Sequence, residues 1–155
     1  MNTRAHMAAA AGFTMVELLV VIGVVSIFLA VTAPAMSGMV ATQQVKAASS
    51  DLHATLSIAR SEALTRNTSV TVDPVEGDWA RGWSVTEAGG EVLRRQSAYP
   101  RVSLSGPARV IFSGDGRPDT TATPFAVTAT DASEGSYRCV RLRLTGRSAI
   151  DKGAC

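Results

Sequence analysis

Residues 18–36 carry no charged side chain, and they follow directly on Glu17 near the start of the chain. Residues 13–33 would rise about 31 Å as a helix, enough to cross a hydrocarbon core of about 30 Å. The carboxylate at the head of this run needs compensation, because an ionised group entering hydrocarbon costs about 2.5 to 3.5 kcal/mol on insertion scales. Thr14-Met15-Val16-Glu17 has the spacing of a capping box, in which Glu17 satisfies free amides and the positive end of the helix dipole.

Arg4 and His6 precede the run with no acid beside them, while the segment beyond it is long and mixed in charge. That asymmetry puts the N-terminus in the cytoplasm and the bulk of the chain outside. A competing reading treats the run as a secretory signal cleaved after Ala33-Pro34-Ala35. It leaves Gly12 to Glu17 unexplained and sets a glutamate at the start of the apolar region. At 155 residues there is room for one compact domain and one anchor. A net charge of +2 is too balanced to argue for nucleic acid or anionic lipid from the whole chain.

Beyond Pro34 the pattern stays helical: Val45, Ala48, Leu52, Leu56, Ala59 and Ala63 recur at steps of three and four, with Lys46, Asp51, His53, Arg60 and Glu62 between them. The helix should end near Asn67. Pro34 either bends one long helix or separates two. From Thr68 the pattern changes to short strands at 69–72, 82–86, 91–96, 101–104, 109–113, 125–130 and 137–145. Turn residues part them, at Glu76-Gly77-Asp78, Gly89-Gly90, Ser113-Gly114-Asp115-Gly116 and Ser133-Glu134-Gly135. The class is α+β, a long N-terminal helix on an antiparallel β head of two small sheets or a sandwich.

Cys139 and Cys155 are the two cysteines, and both fall beyond the anchor, in an oxidising space on this topology. A disulfide is the simple expectation. It would stabilise by about 3 kcal/mol in the chain-entropy model and pin the C-terminus. Free thiols or a metal pair are the alternative, though no other Cys or His stands at ligand spacing. No metal site, cofactor or enzymatic activity is expected. His53 stands alone on a helix, no Ser or Cys nucleophile has a basic partner in a known motif, and Gly114-Asp115-Gly116 reads as a hairpin turn. Trp79 and Trp83 flank Gly82 at a hairpin and read as head-core packing.

In the last expected strand Cys139, Arg141 and Arg143 alternate with Val140, Leu142 and Leu144, so the two sets should face opposite ways. Arg147 and Lys152 follow. These cations could hold DNA phosphates, or they could form a solvated face that keeps a sheet edge from aggregating.

Gly12-Phe13-Thr14 with Glu17 resembles the cleavage and methylation junction of type IV prepilins and type II secretion pseudopilins. Ala59-Arg60-Ser61-Glu62-Ala63, Arg66-Asn67, Trp79-Ala80-Arg81-Gly82-Trp83, Gly146-Arg147 and Cys155 extend the resemblance to the GspH/FimT-like minor branch. It implies that a prepilin peptidase cuts between Gly12 and Phe13 and methylates the new Phe13 amine. Glu17 would pair with the Phe13 amine of a neighbouring subunit. The implied division is a leader at 1–12, a membrane and filament-core helix at 13–36, its amphipathic continuation at 37–67 and a β head at 68–155.

The implied place is the bacterial inner membrane, with the head periplasmic, and then a pilus or pseudopilus. The implied partners are other major and minor pilins or pseudopilins. Some members resemble DNA receptors for natural transformation, but those carry a second arginine where this chain has Ala149. A secreted or anchored domain unrelated to filaments is the remaining alternative. Sequencing the mature N-terminus separates these readings: a methylated Phe13 is expected, and a mature chain beginning at Met36 would overturn the resemblance.

Overall fold

Apolar residues at steps of three and four set the packing of the head. In the helix α1 (Met15–Arg66), Ala41, Val45, Ala48, Leu52, Leu56, Ala59 and Ala63 are all buried, six of them at the positions expected from the sequence. The computed structural model describes residues 13–119, 123–130 and 136–155, with 30–37 as backbone alone. The expected leader, including Gly12, and the expected turn at Ser133-Glu134-Gly135 lie outside the described residues. The chain divides into two units, Met1–Met36 and Ser37–Cys155.

In the first unit the helix begins at Met15, and the large apolar side chains described there are exposed. Among the described residues no helix is long and apolar enough to cross a membrane. The described side chains at 15–29 cover a rise of about 22 Å, short of a hydrocarbon core of about 30 Å.

In the second unit the helix ends where Asn67 turns left-handed (φ 49°) and Thr68 N–H donates to the Ala63 carbonyl at 3.3 Å. That is the 6→1 bond of a Schellman cap. Eight strands follow: β1 (Val70–Val75), β2 (Asp78–Glu87), β3 (Val92–Gln96), β4 (Val102–Ser105), β5 (Val110–Phe112), β6 (Phe125–Ala129), β7 (Tyr137–Leu142) and β8 (Ser148–Lys152). They form two four-stranded sheets, ordered β3-β2-β1-β5 and β4-β6-β7-β8, and every pairing is antiparallel. The α+β expectation holds, with two sheets.

Seven strands coincide with the expected ones to within a few residues. The last expected strand was drawn too long: β7 stops at Leu142, and residues 143–147 turn the chain back into β8. Arg143 and Leu144 are therefore turn residues, and Leu144 is 69% exposed instead of facing the core.

Polar contacts tie the buried helix to both sheets. Trp83 Nε1–H donates to Thr55 Oγ1 at 3.1 Å, and the Tyr99 hydroxyl donates to Asp51 at 2.5 Å. On the other sheet Ser148 Oγ and His53 Nδ1 are 2.7 Å apart, as are Ser136 and Thr42 Oγ atoms. Burial first, then the hydrogen bond and charge of Asp51, hold the Tyr99 phenol above its ordinary pKa, against the opposing charge of Arg94. The stability that this protonated phenol lends is complete below about pH 10 and falls as pH rises further.

Both tryptophans are core residues, as expected. Trp79 and Trp83 are 3% and 1% exposed; Trp79 meets Phe125 edge-on at 5.0 Å, and Trp83 stacks on Tyr99 at 5.9 Å. Trp83→Ala in the full chain should lower the unfolding free energy of the head by about 3 to 5 kcal/mol. An unchanged denaturant midpoint would contradict the packing role.

Candidate functional site

Two regions carry functional expectations. The first is the N-terminal junction. Phe13 is 79% exposed, and Thr14 caps the helix by accepting the Glu17 N–H on Oγ1 at 3.2 Å. Leu18 N–H reaches the Thr14 carbonyl at 3.2 Å. That is one half of the expected capping box. The Glu17 carboxylate makes no hydrogen bond or ion pair among the described residues, so its charge faces outward from an apolar helix.

The second region is the hairpin β7–β8. Register places Cys139 opposite Asp151, Arg141 opposite Ala149 and Arg138 opposite Lys152. Opposed residues share a face, so Arg141 lies with Asp151 while Lys152 lies on the other face with Arg138 and Val140. The expected cations thus do not form one surface. Arg141 pairs with Asp151 at 3.2 Å, whereas Arg143 and Arg147 stand in the turn without an ion pair among the described residues. Cys139 and Cys155 form a disulfide, with Cα atoms 5.1 Å apart, which fastens the chain end across this sheet.

What sets the hairpin's position is its turn. Arg143 N–H donates to the Arg147 carbonyl at 2.9 Å and Gly146 N–H to the Arg143 carbonyl at 2.8 Å. The turn after β5 repeats the pattern, from Ser113 to Arg117 at 2.9 Å and from Gly116 to Ser113 at 2.8 Å. Both are three-residue loops closing with a left-handed glycine, at φ 77° for Gly146 and 74° for Gly116. The two glycines abut. A Cβ on Gly146 would come within 2.1 Å of the Gly116 carbonyl oxygen and 2.8 Å of Arg60 Nε. Arg60, reaching from α1, donates through Nε to that same carbonyl at 3.1 Å.

The family described as "Type II transport protein GspH" has a model that matches residues 48–146. The chain belongs to this family. A second model, described as "Prokaryotic N-terminal methylation motif", matches residues 7–33. No curated protein matches the sequence. Among solved structures, two crystal forms of the type IV minor pilin FimU of Pseudomonas aeruginosa (strain PAO1) resemble it. The first has a TM-score of 0.61 at 21% identity, over 70% of this chain and 89% of that one. The second has a TM-score of 0.59 at 22% identity, over 68% and 91%. At these identities the likeness is one of fold.

The resemblance drawn from the sequence gains a physical reason in this GspH-family head. Arg60 of the helix motif and Gly146 of the Gly-Arg pair, distant in sequence, meet at one point. The strand β8, absent from the sequence reading, is what gives Arg141 its acidic partner. A turn signal at Thr145-Gly146-Arg147, taken with the need to bring Cys155 back to Cys139, could have located it. Cys155→Ser should lower stability by about 2 to 4 kcal/mol and leave the helix-facing core intact. Thermal unfolding of the full chain with and without reductant measures this, and equal midpoints would show that the crosslink contributes nothing.

Proposed function

We propose that the chain is a minor pilin or pseudopilin, a structural subunit that helps initiate or cap a type IV pilus or a type II secretion pseudopilus. The observation that carries this reading is the pairing of a methylation motif with an exposed apolar first segment of the helix, residues 15–29, whose one carboxylate is Glu17. Exposed apolar surface of this extent needs lipid or neighbouring helices to cover it. The match to the GspH family supports a structural role, and the FimU-like fold agrees with it.

On this proposal residues 1–12 are a leader, prepilin peptidase cuts before Phe13 and the exposed Phe13 amine is methylated. Residues 13–36 hold the precursor in the inner membrane with the head in the periplasm, and later line a filament core. There Glu17 meets the Phe13 amine of a neighbouring subunit; that its carboxylate has no partner among the described residues supports that pairing. Before assembly the Thr14 cap holds the start of the helix. The partners are the peptidase and other pilins or pseudopilins.

A DNA-receptor role draws no support from the hairpin, where Asp151 already neutralises Arg141 and Lys152 lies on the opposite face. Glu17→Ala should leave cleavage and methylation largely intact and strongly reduce incorporation into filaments. Quantifying processed chain in membrane and sheared-filament fractions tests it, and normal incorporation would remove the intersubunit role.

A further inference from the structure

Residues 136–155 hold five basic side chains, Arg138, Arg141, Arg143, Arg147 and Lys152, against the single acid Asp151. On the outer face of the hairpin lies an open cavity of about 300 Å³, lined by Pro124, Arg141, Leu142, Arg143, Ala149 and Asp151. Ala149, directly opposite Arg141 in the ladder, contributes only a methyl group to this lining. Arg141 is ion-paired with Asp151 at this wall, both side chains about half exposed, and its guanidinium has further N–H groups left to donate. Arg143 brings a second guanidinium without an ion pair among the described residues.

Next in the chain is Leu144. A single exposed leucine is ordinary on a protein surface. This one stands in a turn closed by two backbone hydrogen bonds and seated against Gly116, with Arg143 and Arg147, which make no ion pair among the described residues, on either side of it. An arginine, a residue enriched at interface hot spots, beside an apolar side chain offers a partner both a charge and an apolar contact.

We propose that the cavity is a carboxylate-binding site for an acidic side chain of a partner subunit, with Leu144 as the apolar anchor beside it. The proposal rests on the structural-subunit reading for the identity of the partner as another subunit. A carboxylate fits the two-pronged geometry of a guanidinium and carries one negative charge. A phosphate would bring more charge against Asp151. A nucleic-acid backbone would favour a longer track of cations than the two arginines of this turn, and it would leave Leu144 unused.

The test uses the full chain in detergent micelles, with NMR signals of the Arg143 side-chain Nε–H and the Leu144 methyl groups as the readout. The probes are an N-acetylated peptide amide of alternating Glu and Leu, inorganic phosphate and a short DNA duplex. The peptide should shift both sets of signals saturably. Ala149→Leu, which fills the cavity, should weaken its binding by about tenfold or more with no change in unfolding midpoint. Three results would each overturn the site: no saturable shift, peptide binding unaffected by Ala149→Leu, or phosphate or DNA moving the same signals more strongly than the peptide. Failure of the subunit reading is seen separately, in the mature N-terminus and in the incorporation of Glu17→Ala.

Discussion

In the head, one guanidinium stands where the helix and a turn from each sheet meet. The two sheets share no strand, so their relative placement comes from what lies between them and the helix. Arg60 reaches from α1 to the carbonyl of Gly116 in the turn after β5, and Gly146 of the β7–β8 turn packs onto the same spot. Helix, first sheet and second sheet therefore meet within a few ångströms. A half-buried hydrogen bond from a charged donor contributes about 1.5 to 3 kcal/mol, but its larger effect is geometric. Any side chain at Gly146 would push the turns apart and displace the arginines and Leu144 that follow from them.

The same helix shows how polar residues frame a buried stripe. Apolar spacing read from the sequence located the core face, since burying a continuous stripe is a local property of a helix. Asp51, His53, Thr55 and Arg60 appear in that pattern only as interruptions. In the fold each holds a strand, turn or loop residue far along the chain, with separations of 48, 95, 28 and 56 residues. Periodicity carries no information on such partners, because they are fixed by how the sheets close around the helix.

Strand β8 was illegible for a related reason. Ser148-Ala149-Ile150-Asp151-Lys152 has one β-branched residue and no clean alternation, as befits an edge strand whose pairing partner supplies its order. Missing it made β7 look longer and set Arg143 and Leu144 on opposite faces of a strand that does not exist at those positions. The strands with strong patterns, such as β1 and β6, alternate buried and partly buried residues and were readable. Edge position alone did not hide β8, since β3, β4 and β5 also lie at sheet edges and fell where the sequence put them; β8 lacked the β-branched or alternating run that marked the others.

At the N-terminal junction the relation is reversed, because a short motif is explicit in sequence while its consequences need a second molecule. The Thr14 cap satisfies the Glu17 amide, while the Glu17 carboxylate has no partner among the described residues. At a water interface that arrangement costs little, since solvent and the helix dipole stabilise the charge. In an apolar assembly the same carboxylate would be a desolvated ion, and removing it from water without a counter-charge costs several kcal/mol. A cation offered by a neighbour would make entry into the assembly favourable only when the two groups are in register. The one charge at the head of the apolar run would then act as a register mark, unfavourable in a mispaired contact and satisfied in one correct one.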